Sequence, residues 1–142
     1  MSTARQVAKS RIRSSGTGTA AVALDHCGFP DLRGGPPFER ARGLLDLAEL
    51  PNLRLKVTSH VLEQCEATED GPAAFVDVLA RRFGAERLLW GSDYSQTHDR
   101  PYGDLVELGR SAAAHLGVAG RERFLGATAL ELWPELRATP SA

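Results

Sequence analysis

Cysteine is scarce in this chain: Cys27 and Cys65 are the only two in 142 residues. Two thiols without metal-like spacing argue against a disulfide scaffold or a zinc knuckle, and a reduced, cytoplasmic setting is expected. Long apolar runs are missing too. None approaches the roughly 20 residues that a membrane-spanning helix needs. Nor is there an excess of charge: 17 basic and 18 acidic residues leave a net charge of −1. That balance gives no electrostatic reason to expect nucleic acid or an anionic membrane as partner. A Gly-x-Gly-x-x-Gly phosphate loop is absent, and Gly34-Gly35 run into Pro36-Pro37, which suits a turn and not a phosphate cradle. What remains is an ordinary globular composition, 42% apolar and 25% charged, of a length that fits one domain with a real core.

Residues 1–19, MSTARQVAKSRIRSSGTGT, hold four basic and no acidic residues and lack the apolar stretch of a secretory signal. They are expected to be a disordered basic segment ending in a Ser/Gly linker; an Arg/Ser-rich transit peptide would share this composition. From residue 20 a rhythm sets in. AAVALDH reads as a buried strand, and FPDLRGGPP as a turn-rich loop. FERARGLLDLAEL reads as a helix with Phe38, Ala41, Leu45 and Ala48 on one face, stopped by Pro51-Asn52. LRLKVTS is a second strand, followed by the connection HVLEQCEATEDG with room for a helical turn. PAAFVDVLARRFG is a helix with Pro72 near its start, Gly84 past its end and an apolar stripe of Phe75, Val78, Leu79 and Phe83. RLLWGSD is a third strand. PYGDLVELGRSAAAHLG is a helix with Leu105, Leu108, Ala112 and Leu116 inward, and GRERFLGATALELWPEL supplies one or two short helices ended by Pro134. Alternating strands and helices predict an α/β fold with a parallel sheet.

The polar residues fall at the strand ends. His26 ends the first strand, Ser59-His60 the second and Asp93 the third, at intervals of 34 and 33 residues, one βα unit each. In parallel α/β folds the C-terminal strand ends share one edge, where active sites form. His26, Thr58–His60 and Asp93 are therefore expected to converge on one rim. Each residue has a plainer reading. Asp93 would serve as a turn or loop cap, His26 as a hydrogen-bonded structural histidine, and His60 as a solvated residue. His98 lines a pocket or lies in a solvated loop. His115 reads as structural, Cys27 as a small buried filler, and Trp90 and Trp133 as packing residues. Lys56, inside a strand, must snorkel, pair or face a polar interior.

Four stretches carry a family resemblance: VALDHCGFPD, LPNLRLKVTS, FGAERLLWGSDYSQ and the tail FLGATALELWPEL. In this order they resemble the C-terminal part of the amidohydrolase-related ("amidohydrolase 2") branch of the metal-dependent hydrolase superfamily, which includes 2-pyrone-4,6-dicarboxylate lactonase. The resemblance covers about residues 20 to 136. It implies a (β/α)₈ TIM barrel, of which this chain would supply about three C-terminal βα units, strands six to eight. It also implies roles. Asp93 matches the last-strand aspartate, a metal ligand where there is a metal and the acceptor of a proton from the attacking water. His26 matches the strand-six histidine that hydrogen-bonds or polarises the substrate carbonyl. The implied activity is hydrolysis of a C–O (lactone or ester) or C–N bond in a small carboxylated substrate; the alternatives are a metal-dependent decarboxylase of the same family and a non-enzymatic barrel remnant.

Departures from the family pattern shape the remaining expectations. The family's first-strand His-x-His pair has no counterpart, since the histidines stand singly at 26, 60, 98 and 115. A divalent, zinc-like metal is therefore implied by the resemblance but lacks that pair, and the site is metal-free if nothing replaces it. Residues 20–137 are read as the barrel part and 138–142 as a tail. Three units of eight cannot close a barrel, so the chain is expected to be truncated, to need the missing half, and to self-associate through open sheet edges. His98, Arg100 and His60 are the candidates to hold a substrate carboxylate, Arg100 as a fork.

Overall fold

The computed structural model describes residues 20–94, 96 and 99–138. The basic segment 1–19, His98 and the tail beyond 138 lie outside the described residues. Strands β1 (Val22–Leu24), β2 (Leu53–Thr58) and β3 (Leu88–Gly91) form a parallel sheet in the order β1-β2-β3. The register pairs Leu24 with Leu55 and Thr58 with Gly91. Among the described residues β1 and β3 do not pair with each other, so the sheet is an open arc and not a closed barrel.

Alternation along the strands separates two faces. Leu53, Leu55, Val57 and Leu88 are fully buried under the helices. Arg54, Lys56 and Thr58 point to the opposite face, together with the register partners Ala23, Leu89 and Gly91. In a closed barrel this second face would line the interior. Lys56 resolves its awkward position by pairing with Asp25 at 2.5 Å.

The helical layer consists of α1 (Arg42–Leu45), α2 (Ser59–Glu66), α3 (Gly71–Phe83), α4 (Tyr102–Ala112), α5 (Gly117–Glu122) and α6 (Thr128–Leu132). A π turn at Arg123–Ala127 joins the last two. Helix α3 follows its sequence signals closely, with Pro72 in the first turn and Gly84 at the end in a positive-φ conformation. Its inward face is Phe75, Val76, Leu79 and Phe83, while Val78 is only partly buried. In α4 the expected Leu105, Leu108 and Ala112 are buried; Leu116 falls beyond the helix, in a 3₁₀ turn, and is partly buried.

Three expectations need correction. The helix over 38–50 is broken into α1 and flanking 3₁₀ turns, Glu39–Ala41 and Asp46–Glu49. Phe38 stays outside it, taking a left-handed φ of 61° and setting its ring edge-on to Phe75 at 5.2 Å; core packing overrides helical propensity there. His60 does not end a strand: β2 stops at Thr58, and Ser59 and His60 open α2. Val61, Leu62 and Cys65 are the buried stripe of that helix, a spacing of i, i+1, i+4 that the sequence already carried. Trp133, read as a packing residue, is exposed. Trp90 does pack, with its indole against Gly109 of α4.

The base of the sheet is tied by Arg87, just before β3. Its guanidinium donates to the carbonyls of Leu53 at 3.0 Å, Ala48 at 3.1 Å and Leu50 at 2.5 Å and lies over the Phe83 ring. One side chain thus joins the start of β2, the segment after α1 and the end of α3, and burial lowers its pKa from the ordinary arginine value.

Candidate active site at the strand ends

β1 leads into an unusual turn. His26, Cys27, Gly28 and Phe29 all have positive φ, at 52°, 51°, 73° and 55°, and Phe29 N–H donates to the His26 carbonyl at 2.9 Å. This is a left-handed helical turn, and three of its four residues carry side chains. Each non-glycine residue there costs roughly 1–2 kcal/mol, so neighbouring contacts must hold it. Cys27 is buried, with Sγ 3.6 Å from the Lys56 carbonyl. Burial, then the nearby Cys65, raises its thiol pKa far above the ordinary range, which suits a filler and not a nucleophile. His26 Nδ1 lies 2.7 Å from Thr58 Oγ1. If the hydroxyl donates, Nε2 carries the proton and is a donor; if it accepts, Nε2 is an acceptor. Either way Thr58 fixes the ring, and among the described residues Nε2 has no hydrogen-bond partner.

The turn gathers rings. Phe29 stacks on His26 with centroids 4.8 Å apart. His60, in the first turn of α2, stands edge-on to both, at 5.9 Å from His26 and 6.2 Å from Phe29. Gln64, one turn further along α2, is 3.3 Å from His60 Nε2. His26 and Thr58 are therefore brought together with His60, which reaches them from the first turn of α2 and not from a strand end.

Asp93 lies two residues beyond Gly91, which pairs with Thr58, so it occupies the same edge of the sheet. It too is left-handed, with φ 54°. Its carbonyl accepts from Gln96 N–H at 3.1 Å, and the adjacent Tyr94 N–H is held by Ser92 Oγ at 3.1 Å. Positive φ at His26, Cys27, Phe29 and Asp93 puts four of the five non-glycine cases of the described residues on this edge, the kind of strain that collects at functional sites.

Arg100 is placed elsewhere. It forms a 2.6 Å ion pair with Glu66 and helps to line a 480 Å³ groove with Asp70, Asp104 and Glu107 between the helices. A larger cleft of 580 Å³ is lined by residues such as Asp31, Arg33, Gln64 and Glu69. Neither cavity includes His26, His60 or Asp93, whose edge is open on the side that further barrel strands would wall. Sequence reasoning missed Phe29 and Glu63. Nothing in composition marks a left-handed Phe, and Glu63 was hidden in a segment read as a connection.

A zinc site needs about three protein ligands around one point. Among the described residues no group of three His, Cys, Asp or Glu side chains could hold a metal ion. Among the described residues Asp93 thus lacks the ligand set that a metal would require.

The model of a family described as amidohydrolase matches residues 20–134. No curated protein matches the chain. Among solved structures, an amidohydrolase from Burkholderia multivorans with bound zinc is similar at a TM-score of 0.71 and 23% identity, covering 93% of this chain and 50% of that one. A Pseudomonas putida protein described as a 2-pyrone-4,6-dicarboxylic acid hydrolase is similar at a TM-score of 0.68 and 26% identity, covering 90% of this chain and 47% of that one. The chain therefore spans about half the length of the structures it matches, and its open three-stranded sheet corresponds to part of their barrel.

Proposed function

Since the chain belongs to the amidohydrolase family, we propose that it carries the His26–Asp93 side of a hydrolase site acting on the C–O bond of a small carboxylated lactone or ester. The observation that carries this reading is the placement of His26, locked by Thr58, and Asp93 on one strand-end edge. The name of the Pseudomonas neighbour supports a lactone as the substrate class.

In this reading the Asp93 carboxylate takes a proton from water as the water oxygen bonds to the substrate carbonyl carbon, a general-base step. The carbonyl oxygen gains the negative charge and accepts a hydrogen bond from His26 Nε2–H, the tautomer in which Thr58 donates to Nδ1. A donor aimed at that oxygen accelerates the reaction because charge develops there in the transition state. Collapse breaks the ring or ester C–O bond, and the leaving oxygen recovers the proton from Asp93. His60, whose ring lies 5.9 Å from that of His26, is proposed to face a substrate carboxylate. Arg100 would have to exchange Glu66 for it, and His98 is proposed on sequence grounds alone. Among the described residues β1 and β3 each have one strand neighbour, and further strands, from a second copy or another chain, are proposed to pair with their free edges and complete the wall.

The test is a panel of a carboxylated lactone, the matching amide and the matching β-keto acid, followed by product analysis. Ring-opened hydroxy acid is expected. Release of carbon dioxide instead would favour the decarboxylase, and amide cleavage alone would move the reading to C–N bonds.

A further inference from the structure

The junction after β1 makes two side-chain bonds of different kinds to β2. Asp25 Oδ1 pairs with Lys56 Nζ at 2.5 Å, and His26 Nδ1 meets Thr58 Oγ1 at 2.7 Å. In a continuing strand, residues 25 and 26 would point to opposite faces. Here the backbone turns left-handed at His26, with φ 52°, and both side chains reach residues that stand two apart on one face of β2. Such residues are about 7 Å apart, so a carboxylate lies one rung from the candidate catalytic imidazole. Stability does not account for the ion pair. Its side chains are 34% exposed at Lys56 and 65% exposed at Asp25, and exposed pairs contribute little.

What the pair does decide is which group bonds the histidine. A carboxylate only accepts hydrogen bonds, whereas a hydroxyl either donates or accepts. If the Asp25 carboxylate takes the imidazole, Nδ1 must carry the proton, and Nε2 is left bare and unable to donate to a carbonyl oxygen. If Thr58 donates to Nδ1, Nε2–H stays a donor. We propose that Lys56 is a positioning residue for His26: by holding Asp25, it leaves the imidazole to Thr58 in the Nε2–H tautomer. The assignment rests on the hydrolase reading for the use of that tautomer and deepens it by naming the side chain that selects it. The other titratable groups of this edge, His60 and Glu63 of α2 and Asp93 beyond β3, are left unaltered in the variants that test it.

The experiment reads the two ring nitrogens of His26 by ¹⁵N NMR in the full chain, about two pH units above the ordinary histidine value, where a free imidazole is neutral. The unaltered chain and Lys56→Arg are expected to show the Nε2–H tautomer. Lys56→Met, which keeps the stem and loses the charge, should move the signal toward Nδ1–H; Lys56→Leu takes its place if that variant does not fold. Asp25→Asn should keep Nε2–H, both alone and added to Lys56→Met. This asymmetry is the signature of positioning, because a merely structural ion pair is lost equally whichever partner is removed. In lactone hydrolysis, kcat is expected to fall about 10²-fold in Lys56→Met, the scale of one lost oxyanion donor, with KM little changed, and to recover when Asp25→Asn is added. Nδ1–H in the unaltered chain, Nε2–H retained in Lys56→Met, or an equal loss in Asp25→Asn would each overturn the assignment of Lys56. The tautomer pattern needs no turnover to be seen. Its presence with kcat unmoved would overturn the use of Nε2–H in hydrolysis and leave Lys56 as the residue that selects the tautomer.

Discussion

Glu63 shows how one residue on this edge is set by its surroundings. It lies on α2 one turn after His60, and its Oε1 is buried with no hydrogen-bond partner among the described residues. Desolvation, then the charge of Asp99, raises its carboxyl pKa, while the nearby Arg100 is already bonded to Glu66. The folded state therefore binds this proton more tightly than the unfolded chain does. The resulting stabilisation is full below the ordinary carboxylate range and is lost as pH rises through the raised value. Glu63→Gln removes the charge at similar volume. Its melting temperature is expected to exceed that of the unaltered chain at pH 7 and to match it at pH 4; a drop at pH 7 would mean that Glu63 is favourably paired. The sequence reading puts His26 and Asp93 at the strand ends themselves, whereas β1 stops at Leu24 and β3 at Gly91, two residues before each; the edge was legible, the stopping points were not. The left-handed backbone was not, because it depends on Cys27 finding the core and His26 finding Thr58, contacts made across the β1–β2 pair.

The elements follow from periodicity wherever the buried stripe is long. α3 and α4 declared themselves through apolar residues at helical spacing between a leading proline and a closing turn. α1 did not hold as one long helix, because Phe38 gains more from the Phe75 edge than from a helical backbone. Packing between α4 and β3 is close enough to make a prediction against propensity. Gly109 sits in mid-helix, where alanine is favoured by about 1 kcal/mol. A Cβ there would come within 2.6 Å of Trp90 Nε1, and overpacking of this kind costs about 1–3 kcal/mol. Gly109→Ala is therefore expected to destabilise the chain by up to about 2 kcal/mol in denaturant unfolding, with recovery when Trp90→Leu is added. A stabilised Gly109→Ala would show that the indole does not pack against this helix.

At the scale of the molecule, the parallel order β1-β2-β3 gathers His26, Thr58, His60 and Asp93 on one edge, and the face of the sheet opposite the helices carries Arg54, Lys56 and Thr58. No helix of the described residues is long and apolar enough to cross a membrane. The partial barrel was legible from three βα units; the substrate pocket was not, because neither cavity described above includes His26, His60 or Asp93. The most direct measurement is lactone hydrolysis by this chain and by its Asp93→Asn variant. Each is assayed alone and joined to the half of the Burkholderia amidohydrolase that this chain does not cover. Turnover is expected in the joined protein, with a loss of about 10²–10⁴-fold in Asp93→Asn and unchanged circular dichroism. Turnover in the variant within about threefold of the parent, far below what removal of a general base costs, would contradict the assignment of Asp93.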